Sequence, residues 1–598
     1  MNMRDNTWLY WKYGDKIKIS FFKFISLLST IILVFLVLGG CQLKPTKIPL
    51  PQKVVFILAD DIGAEWFGPY GCTSQKTPRI DHMASNGFVF DNFSALPLCS
   101  PSRQTILTGT HQHHRREHGW IMPGNTPTFL QILNQHGFKS GVFGKWHGFD
   151  RNTCFDEFKV DDYTIYSKGT RRFWNPETIE NGVIKQYEET DFGPDIYNAK
   201  LLNFLTKNKD NKFFAYYSMA LGHWPFVTTP ESVDKNEKDW QKNFVDMVNY
   251  TDKMVGQVID HLEELGISDE TMVIFAGDNG TYPELLAELG NGEIIKGGKS
   301  YPLKSGQKVP FIVSYGKHFK QRRFQDIADF KDIFPSLMDM AGVKELPMEY
   351  GALEGESLMP LMLSGTPRQK KYSLSYFEAV EGREDMRALH IQNTRWKLYS
   401  DGRLVDIKND ANEYNFTTGF NENNAQKLAR KELQYELDFL RNTDKDYRLV
   451  EDMLNVENGK IINSWKPSQI TLNETKQLSV DITPFIDQRK IYIFGLQHFK
   501  GLGGVDISNV KIFKDNQMIA TNDHKSSSAW ALITTYQYVN TMNEIYYYFN
   551  FDESLTLNAK YELRFNIKQT NQGESYGYIK ILPENFKKPV IKKTSWFP

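Results

Sequence analysis

From Lys53 to Leu58 the chain reads Lys-Val-Val-Phe-Ile-Leu, a continuous apolar run with β-branched residues. That is the pattern of a strand buried on both faces, as in a parallel sheet. It runs straight into Ala59-Asp60-Asp61. A second run of this kind, Thr271-Met-Val-Ile-Phe275, follows a helix-like stretch at 254–265 and leads into Ala276-Gly-Asp-Asn-Gly280. Residues 311–314 predict a further core strand and 332–340 a helix, and apolar runs alternate with amphipathic stretches to about residue 363. The class this predicts is α/β. Ligands of open α/β sheets bind outside the carboxyl ends of the strands. Asp60, Asp61, Asp278 and Asn279 are therefore expected to converge on one site, although more than 200 residues separate the two pairs.

The pattern changes twice further on. Segment 366–445 carries short strands such as Trp396-Lys-Leu-Tyr399 and closes on a helical stretch at 425–440, which predicts a smaller α+β subdomain completing the α/β domain of 53–365. Beyond about residue 450, Lys490-Ile-Tyr-Ile-Phe494, Glu544-Ile-Tyr-Tyr-Tyr-Phe549 and Tyr561-Glu-Leu-Arg-Phe565 are joined by Asn/Asp/Gly connections. They predict a separate all-β sandwich at 471–598, reached through a linker at 446–470. Its many tyrosines leave two readings open: stacking on sugar rings, or ordinary strand packing.

At the other end, 24–38 is an apolar run of fifteen residues preceded by lysines. It is shorter than the roughly 20 residues of a membrane span and suits a signal-peptide core. It ends in Leu38-Gly39-Gly40-Cys41, which resembles the bacterial lipobox. The resemblance implies that residues 1–40 are a signal peptide, that Cys41 is lipidated, and that 41–52 is a linker. It also implies an exported lipoprotein that meets the membrane only through its lipid anchor. The Gln-Leu-Lys-Pro-Thr after Cys41 lacks the acidic cluster that directs such lipoproteins to the cell surface. A periplasm-facing anchor is expected, with the surface as the alternative.

Composition narrows the function. At 598 residues the chain is too long for one ordinary domain, and 40% hydrophobic with 14% aromatic residues suffices for a large core. Its net charge of −1, or −4 without the first forty residues, offers no basic field to hold nucleic acid. With Cys41 acylated, Cys72, Cys99 and Cys154 remain; Cys72 and Cys154 could pair if the fold brings them together, but this is no disulfide scaffold. Cysteines and histidines do not fall at metal-ligand spacing, which argues against a dedicated structural zinc site.

Cys99-Ser-Pro-Ser-Arg103, followed by Gln-Thr-Ile-Leu-Thr-Gly109, resembles the sulfatase signature, Cys-x-Pro-x-Arg with a downstream Leu-Thr-Gly. Gly144-Lys145-Trp146-His147 is similar to that family's Gly-Lys-Trp-His segment, Asp60-Asp61 to its first metal pair and Asp278-Asn279-Gly280 to its second. His223-Trp-Pro225 resembles its His-x-Pro, and Lys299 stands eleven residues before Pro310, the interval between the family's second lysine and a proline. Six elements in order cover about 54–440; the β domain lies outside them. One stretch departs: Leu303-Lys304-Ser305-Gly306-Gln307-Lys308-Val309-Pro310 replaces the family's Glu and Arg by Lys304 and Lys308, a change expected to alter the substrate rim.

The resemblance implies an alkaline-phosphatase-like α/β fold with a mixed central sheet and a metal-dependent sulfatase acting on a sulfated polysaccharide or oligosaccharide, algal or glycosaminoglycan. It implies that a maturation enzyme converts Cys99 to formylglycine, whose hydrate attacks sulfur. Asp60, Asp61, Asp278 and Asn279, with residue 99, would hold the cation. Four hard oxygen donors suit calcium first and magnesium second. Arg103 would hold the modified residue, Lys145 and His147 would contact its hydroxyls, with His147 as base, and His223 and Lys299 would bind sulfate. His223 is favoured as acid for the leaving oxygen, since a neutral-range pKa both gives and regains a proton. His111-Gln-His-His-Arg-Arg-Glu-His118 is rich in anion-binding groups, and His113, His114 or Arg115 is expected at the pocket mouth. Alternatives are a phosphonate or phosphodiester hydrolase of the same superfamily, and a glycan-binding lipoprotein that has lost activity.

Overall fold

The computed structural model describes residues 48–582, with breaks at 119, 151–153, 168, 352, 379–386, 414, 418, 420–421, 459, 466–473, 488, 501–504, 523–542, 552–554 and 570–575. The signal-peptide segment and Cys41 lie outside the described residues. Among the described residues no helix is long and apolar enough to cross a membrane.

The central strands are β1 (Lys53–Ala59), β2 (Phe88–Ser94), β3 (Lys139–Gly144), β4 (Asp162–Tyr166), β5 (Glu177–Glu180), β6 (Val183–Gln186), β7 (Phe213–Ser218) and β8 (Thr271–Gly277). After a hairpin of β9 (Leu286–Glu288) and β10 (Ile294–Lys296) come β11 (Phe311–Tyr315) and β12 (Arg322–Asp329). The ten-stranded sheet runs in the order β12-β2-β11-β8-β1-β7-β3-β4-β5-β6. Its middle, β8-β1-β7-β3, is parallel, while β11 lies antiparallel to both β8 and β2. The apolar run at 311–314 could predict the strand but not its direction, because burial on both faces leaves the same composition either way.

Residues of β1, β7 and β8 are buried throughout, so successive side chains feed two cores. Val55, Ile57, Phe213 and Ala215 share one core with Leu201 and Phe204 of helix Gly193–Lys207 and with Met247 and Val255 of helix Trp240–Glu264. On the other face Phe214 meets Phe129 at 5.0 Å between ring centroids, and Phe129 meets Phe334 of helix Ile333–Ala341. Fully burying such a side chain contributes about 1.5–3 kcal/mol. The stretch read as helical at 254–265 is the last part of the longer helix Trp240–Glu264, whose start is fixed by Asp239 accepting from the Lys242 amide.

C-terminal to this lies a five-stranded antiparallel sheet of Ser373–Phe377, Ala388–Gln392, Trp396–Tyr399, Leu404–Asp406 and Phe416–Thr417, with helix Asn424–Thr443 packing Leu433 and Leu437 onto Leu389 and Leu398. The segment 446–470, expected to be a linker, instead forms helix Lys445–Asn458 and strand Lys460–Trp465. Asp444 caps that helix by accepting from the amides of Asp446 and Tyr447. Tyr447, Val450 and Leu454, at helical spacing, join the subdomain core. Two four-stranded antiparallel sheets then stack through Val480, Phe494, Leu496, Ile512, Leu563 and Phe565. The first of these sheets includes Lys460–Trp465, paired with Tyr576–Leu582, so the sandwich begins before residue 471.

One backbone contact ties the sheet to its loops. Gly144, at the end of β3, has φ +101°, and a Cβ there would lie 2.1 Å from the Ser218 carbonyl oxygen, the same oxygen that accepts from the Lys145 amide at 2.6 Å. Gly144→Ala faces both a left-handed backbone and a backbone clash. It is expected to lower stability by at least about 2 kcal/mol, read as a fall in denaturation midpoint.

Candidate active site

The parallel register brings four strand ends to one level. Ala59 pairs with Gly277, and Leu58 and Gly144 both pair with Ser218. The residues that follow, Asp60-Asp61, Asp278-Asn279 and Lys145, therefore emerge side by side as the open-sheet rule requires. Three further hydrogen bonds help lock the β1 and β8 loops together. Thr281 Oγ1 accepts from the Gly63 amide at 2.9 Å and donates to Glu65 Oε1 at 2.6 Å, and the Asp61 amide donates to Asp278 Oδ1 at 3.0 Å.

Cys99 is the first residue of helix Cys99–Thr108, all of which is buried. The positive end of that helix faces the pocket at residue 99. Arg103, one turn on and on the same face, donates Nε to Asp278 Oδ2 at 2.9 Å, and its guanidinium also bonds Ser218 Oγ. Lys145 Nζ donates to both oxygens of Asp60, at 2.7 and 2.8 Å. Lys299 Nζ pairs with Asp61 Oδ2, and His223 Nε2 lies 3.6 Å from the same oxygen. Cys99 Sγ faces His147 Nδ1 at 3.3 Å. The three aspartates and Asn279 have no exposed surface, whereas His147, His223 and Lys299 are partly exposed and so face the side from which a ligand enters.

Burial alone would raise the Asp60 and Asp61 carboxyls, but Lys145 beside the first and Lys299 beside the second outweigh it and hold both below the ordinary carboxylate range. Burial works against a charged Arg103 too, and Asp278 outweighs it, keeping the guanidinium charged. Burial, then Lys145, pushes His147 down to about 3; burial, then Lys299, does the same to His223. Both rings are therefore neutral near pH 7, not poised in the neutral range as expected for His223.

These residues fit a hard divalent cation. Oxygens of Asp60 and Asp278 lie within 4.8 Å of each other and of Cys99 Sγ. Asn279 donates its amide nitrogen to Asp61 Oδ1 and the Gly280 carbonyl, which fixes the flip, and leaves Oδ1 buried with no hydrogen bond. A buried amide oxygen without a donor is costly unless something electropositive meets it.

Other expected residues have other places. Arg115 is buried, donating to Gln104 Oε1, Thr105 Oγ1 and the Thr110 carbonyl, so its guanidinium is spent inside the fold and not on a sugar. His113 is buried against Asp444 Oδ2 at 3.0 Å, and His114 meets Asp446 Oδ2 at 3.0 Å. This loop fastens the catalytic domain to the helix that begins at Lys445. Lys304 likewise turns inward, with Nζ on the Ile407 carbonyl at 2.5 Å and its amide on Glu413, so that substitution builds an internal junction in place of a substrate rim. Cys72 and Cys154 are not joined in a disulfide. Three residues escaped the sequence reading: Ser218, at the end of a strand it did not name, Glu65, and Arg172, which donates to His223 Nδ1 at 2.8 Å.

Comparison with known proteins agrees with this geometry. Residues 52–343 match the model of the sulfatase family. This segment is a sulfatase domain. Human N-acetylgalactosamine-6-sulfatase is 27% identical over 363 residues, covering 53% of this chain and 67% of the relative. Two solved structures share the fold: Ps i-CgsB in complex with k-i-k-neocarrahexaose (TM-score 0.55, 22% identity, 66% of this chain and 93% of that one), and BT4656 in complex with D-glucosamine-2-N,6-O-disulfate (TM-score 0.55, 20% identity, 67% and 98%). The sulfatase domain makes the protein a sulfuric ester hydrolase, and the mixed sheet is the sulfatase, alkaline-phosphatase-like fold.

Glu65 gives a test of the clip that aligns the sulfatase loops. Burial pushes its carboxyl up to about 7 from an ordinary 4.5, against the Thr281 hydrogen bond. A folded-state pKa above the unfolded one means stability complete below pH 4.5 and lost as pH rises toward 7, by about 3 kcal/mol in all. Glu65→Gln is expected to remove that slope, so the difference in melting temperature between wild type and variant should change steadily from pH 4.5 to 7 and level off above it.

Proposed function

We propose that the protein removes sulfate from a sulfated polysaccharide or its oligosaccharides, using a formylglycine made from Cys99 by a maturation enzyme and a calcium ion held by Asp60, Asp61, Asp278 and Asn279. The observation that carries this reading is Cys99 itself: a thiol at a helix N-terminus, 3.3 Å from a neutral His147, beside a fully buried set of oxygen donors. Four oxygen donors favour calcium over magnesium, which keeps more of its own water. The named ligands of the two structural neighbours, a neocarrahexaose and a glucosamine disulfate, support a sulfated saccharide as substrate. With the lipobox-like Cys41, they support an exported lipoprotein facing the periplasm that works on imported glycan.

Bound, the cation supplies Lewis-acid polarisation of the sulfate, and the hydrated aldehyde supplies the nucleophilic hydroxyl. The chain's own residues do the rest. Arg103 and Lys145 hold Asp278 and Asp60 in place, and Lys145 keeps Asp60 charged, so the donor set is organised before substrate arrives. His147, neutral and against residue 99, is placed to accept a proton from a hydroxyl there. Lys299 and His223 line the accessible side; the ammonium binds sulfate oxygen, and His223 presents Nε2–H to the ester oxygen as the S–O bond breaks.

The deciding experiment is sulfate release from a panel of algal and animal sulfated oligosaccharides, using protein whose Cys99 conversion is verified by mass spectrometry. Release by wild type and a loss of at least about 10⁴-fold in Cys99→Ala are the expected outcome. Silence of fully converted protein on sulfates, with turnover of matched phosphate diesters, would overturn it. Stripping divalent cations is expected to abolish release, and calcium should restore it more fully than magnesium at equal concentration.

A further inference from the structure

We infer that Arg172 is a positioning residue for His223, fixing the tautomer in which the ring presents its N–H to the ester oxygen. The inference rests on the sulfatase reading above. Arg172 follows the short helix Gly169–Arg171 and is buried, with its backbone pinned: its carbonyl accepts from Tyr197 Oη at 3.3 Å, and the next carbonyl, of Phe173, takes the Gly193 amide at 2.7 Å. Its guanidinium lies 5.1 Å over the Phe173 ring and sends one terminal nitrogen to two acceptors, His223 Nδ1 at 2.8 Å and the Trp224 carbonyl. Among the described residues no carboxylate pairs with it, and its Nε is buried without a partner. A buried cation with neither counter-ion nor full hydrogen bonding costs stability, so what it holds is the informative point.

What it holds is a ring with two tautomers, between which it selects. A guanidinium donates and cannot accept, so the His223 Nδ1 facing it presents a lone pair; a hydrogen there would oppose the Arg172 N–H. The Trp224 carbonyl, 2.6 Å from Nδ1, has its own donor in the same Arg172 nitrogen and does not need the ring's. The neutral imidazole therefore carries its hydrogen on Nε2, the nitrogen that points toward Asp61 and the accessible side of the site. Because Arg172 grips both the ring and the adjoining peptide, it fixes orientation as well as tautomer. Without that grip, the close Trp224 carbonyl would draw the hydrogen to Nδ1 and turn the working nitrogen into an acceptor.

A hydrogen bond to the leaving oxygen matters when that oxygen is a poor leaving group. Sugar alkoxides need it, and nitrophenolate, which carries its charge well, does not. Arg172→Met and Arg172→Lys would be assayed against a sulfated sugar and against nitrophenyl sulfate, with kcat and KM separated. Arg172→Met is expected to lower kcat on the sugar sulfate by about 100-fold and on nitrophenyl sulfate by no more than about threefold, with KM for each little changed. Arg172→Lys, which keeps the charge but not the fork, should fall between, and it carries the same comparison if the methionine variant does not fold. In a His223→Ala background, Arg172→Met should add less than about twofold. Equal losses on both esters, a change confined to KM, or full additivity with His223→Ala would overturn the role of Arg172 alone. Wild-type protein inert toward both esters would overturn the sulfatase reading beneath it.

Discussion

Asp60, Asp61 and Asp278, with no exposed surface, stand against Arg103, Lys145 and Lys299, and the catalytic domain is arranged to keep these six together. Taking a carboxylate out of water costs several kcal/mol even after relaxation, and removing one partner of a buried pair costs about 3–5 kcal/mol because it strands the other. The cations come from three places in the chain, and none can shift without stranding a charge. That is why the parallel register matters: with Ser218 opposite both Leu58 and Gly144, and Ala59 opposite Gly277, the charges leave the sheet at one level. The apolar faces of β1, β7 and β8 supply the burial that offsets the charged site.

The same six side chains explain the preference for an anionic substrate. Each of the three aspartates has a cation beside it, and both nearby histidines are neutral because burial and the lysines keep protons off them. A divalent cation on the four oxygen donors would leave the site with surplus positive charge, closed off from water on its carboxylate side. A sulfate ester brings one negative charge and a dense shell of acceptor oxygens to that surplus. Among the described residues of this site, Lys299, His147 and His223 are the partly exposed ones, so on the proposed reading charge recognition and reaction fall on the same few groups.

How far this was legible in the sequence follows from burial. β1 and β8 were readable because a strand buried on both faces is written as an unbroken apolar run, and the acidic residues at their ends follow directly. The motifs at Cys99, Lys145 and His223 were readable only as an ordered set resembling the sulfatase family's, since a lone lysine or histidine is more often solvated or packed. Ser218 and Glu65 were not. A serine ending a strand, or a glutamate near a metal pair, has no pattern until the fold brings its partner across 115 or 216 residues of chain. The helix Lys445–Asn458 was read as a linker for a related reason: only Tyr447, Val450 and Leu454 of its described side chains join a core, and exposed Leu449 blurs the helical period.

Two buried arginines show what charge density in a sequence does and does not reveal. Arg115 sits in a run of histidines and arginines that looks like an anion site, yet its donors go to Gln104, Thr105 and Thr110, internal acceptors that merely close a loop. Arg172 shows no such sequence pattern, and its terminal nitrogen goes to a ring that faces the reacting site. Both guanidiniums are desolvated and, among the described residues, neither pairs with a carboxylate, so burial alone does not separate them. The acceptor does. The amide, hydroxyl and carbonyl oxygens that Arg115 meets can all accept and gain only position from a cation, while an imidazole nitrogen has two states, and a donor-only partner selects one of them. A structural arginine can thus be replaced by packing of the same shape, whereas one that sets a tautomer changes the chemistry of a neighbour it never reacts with.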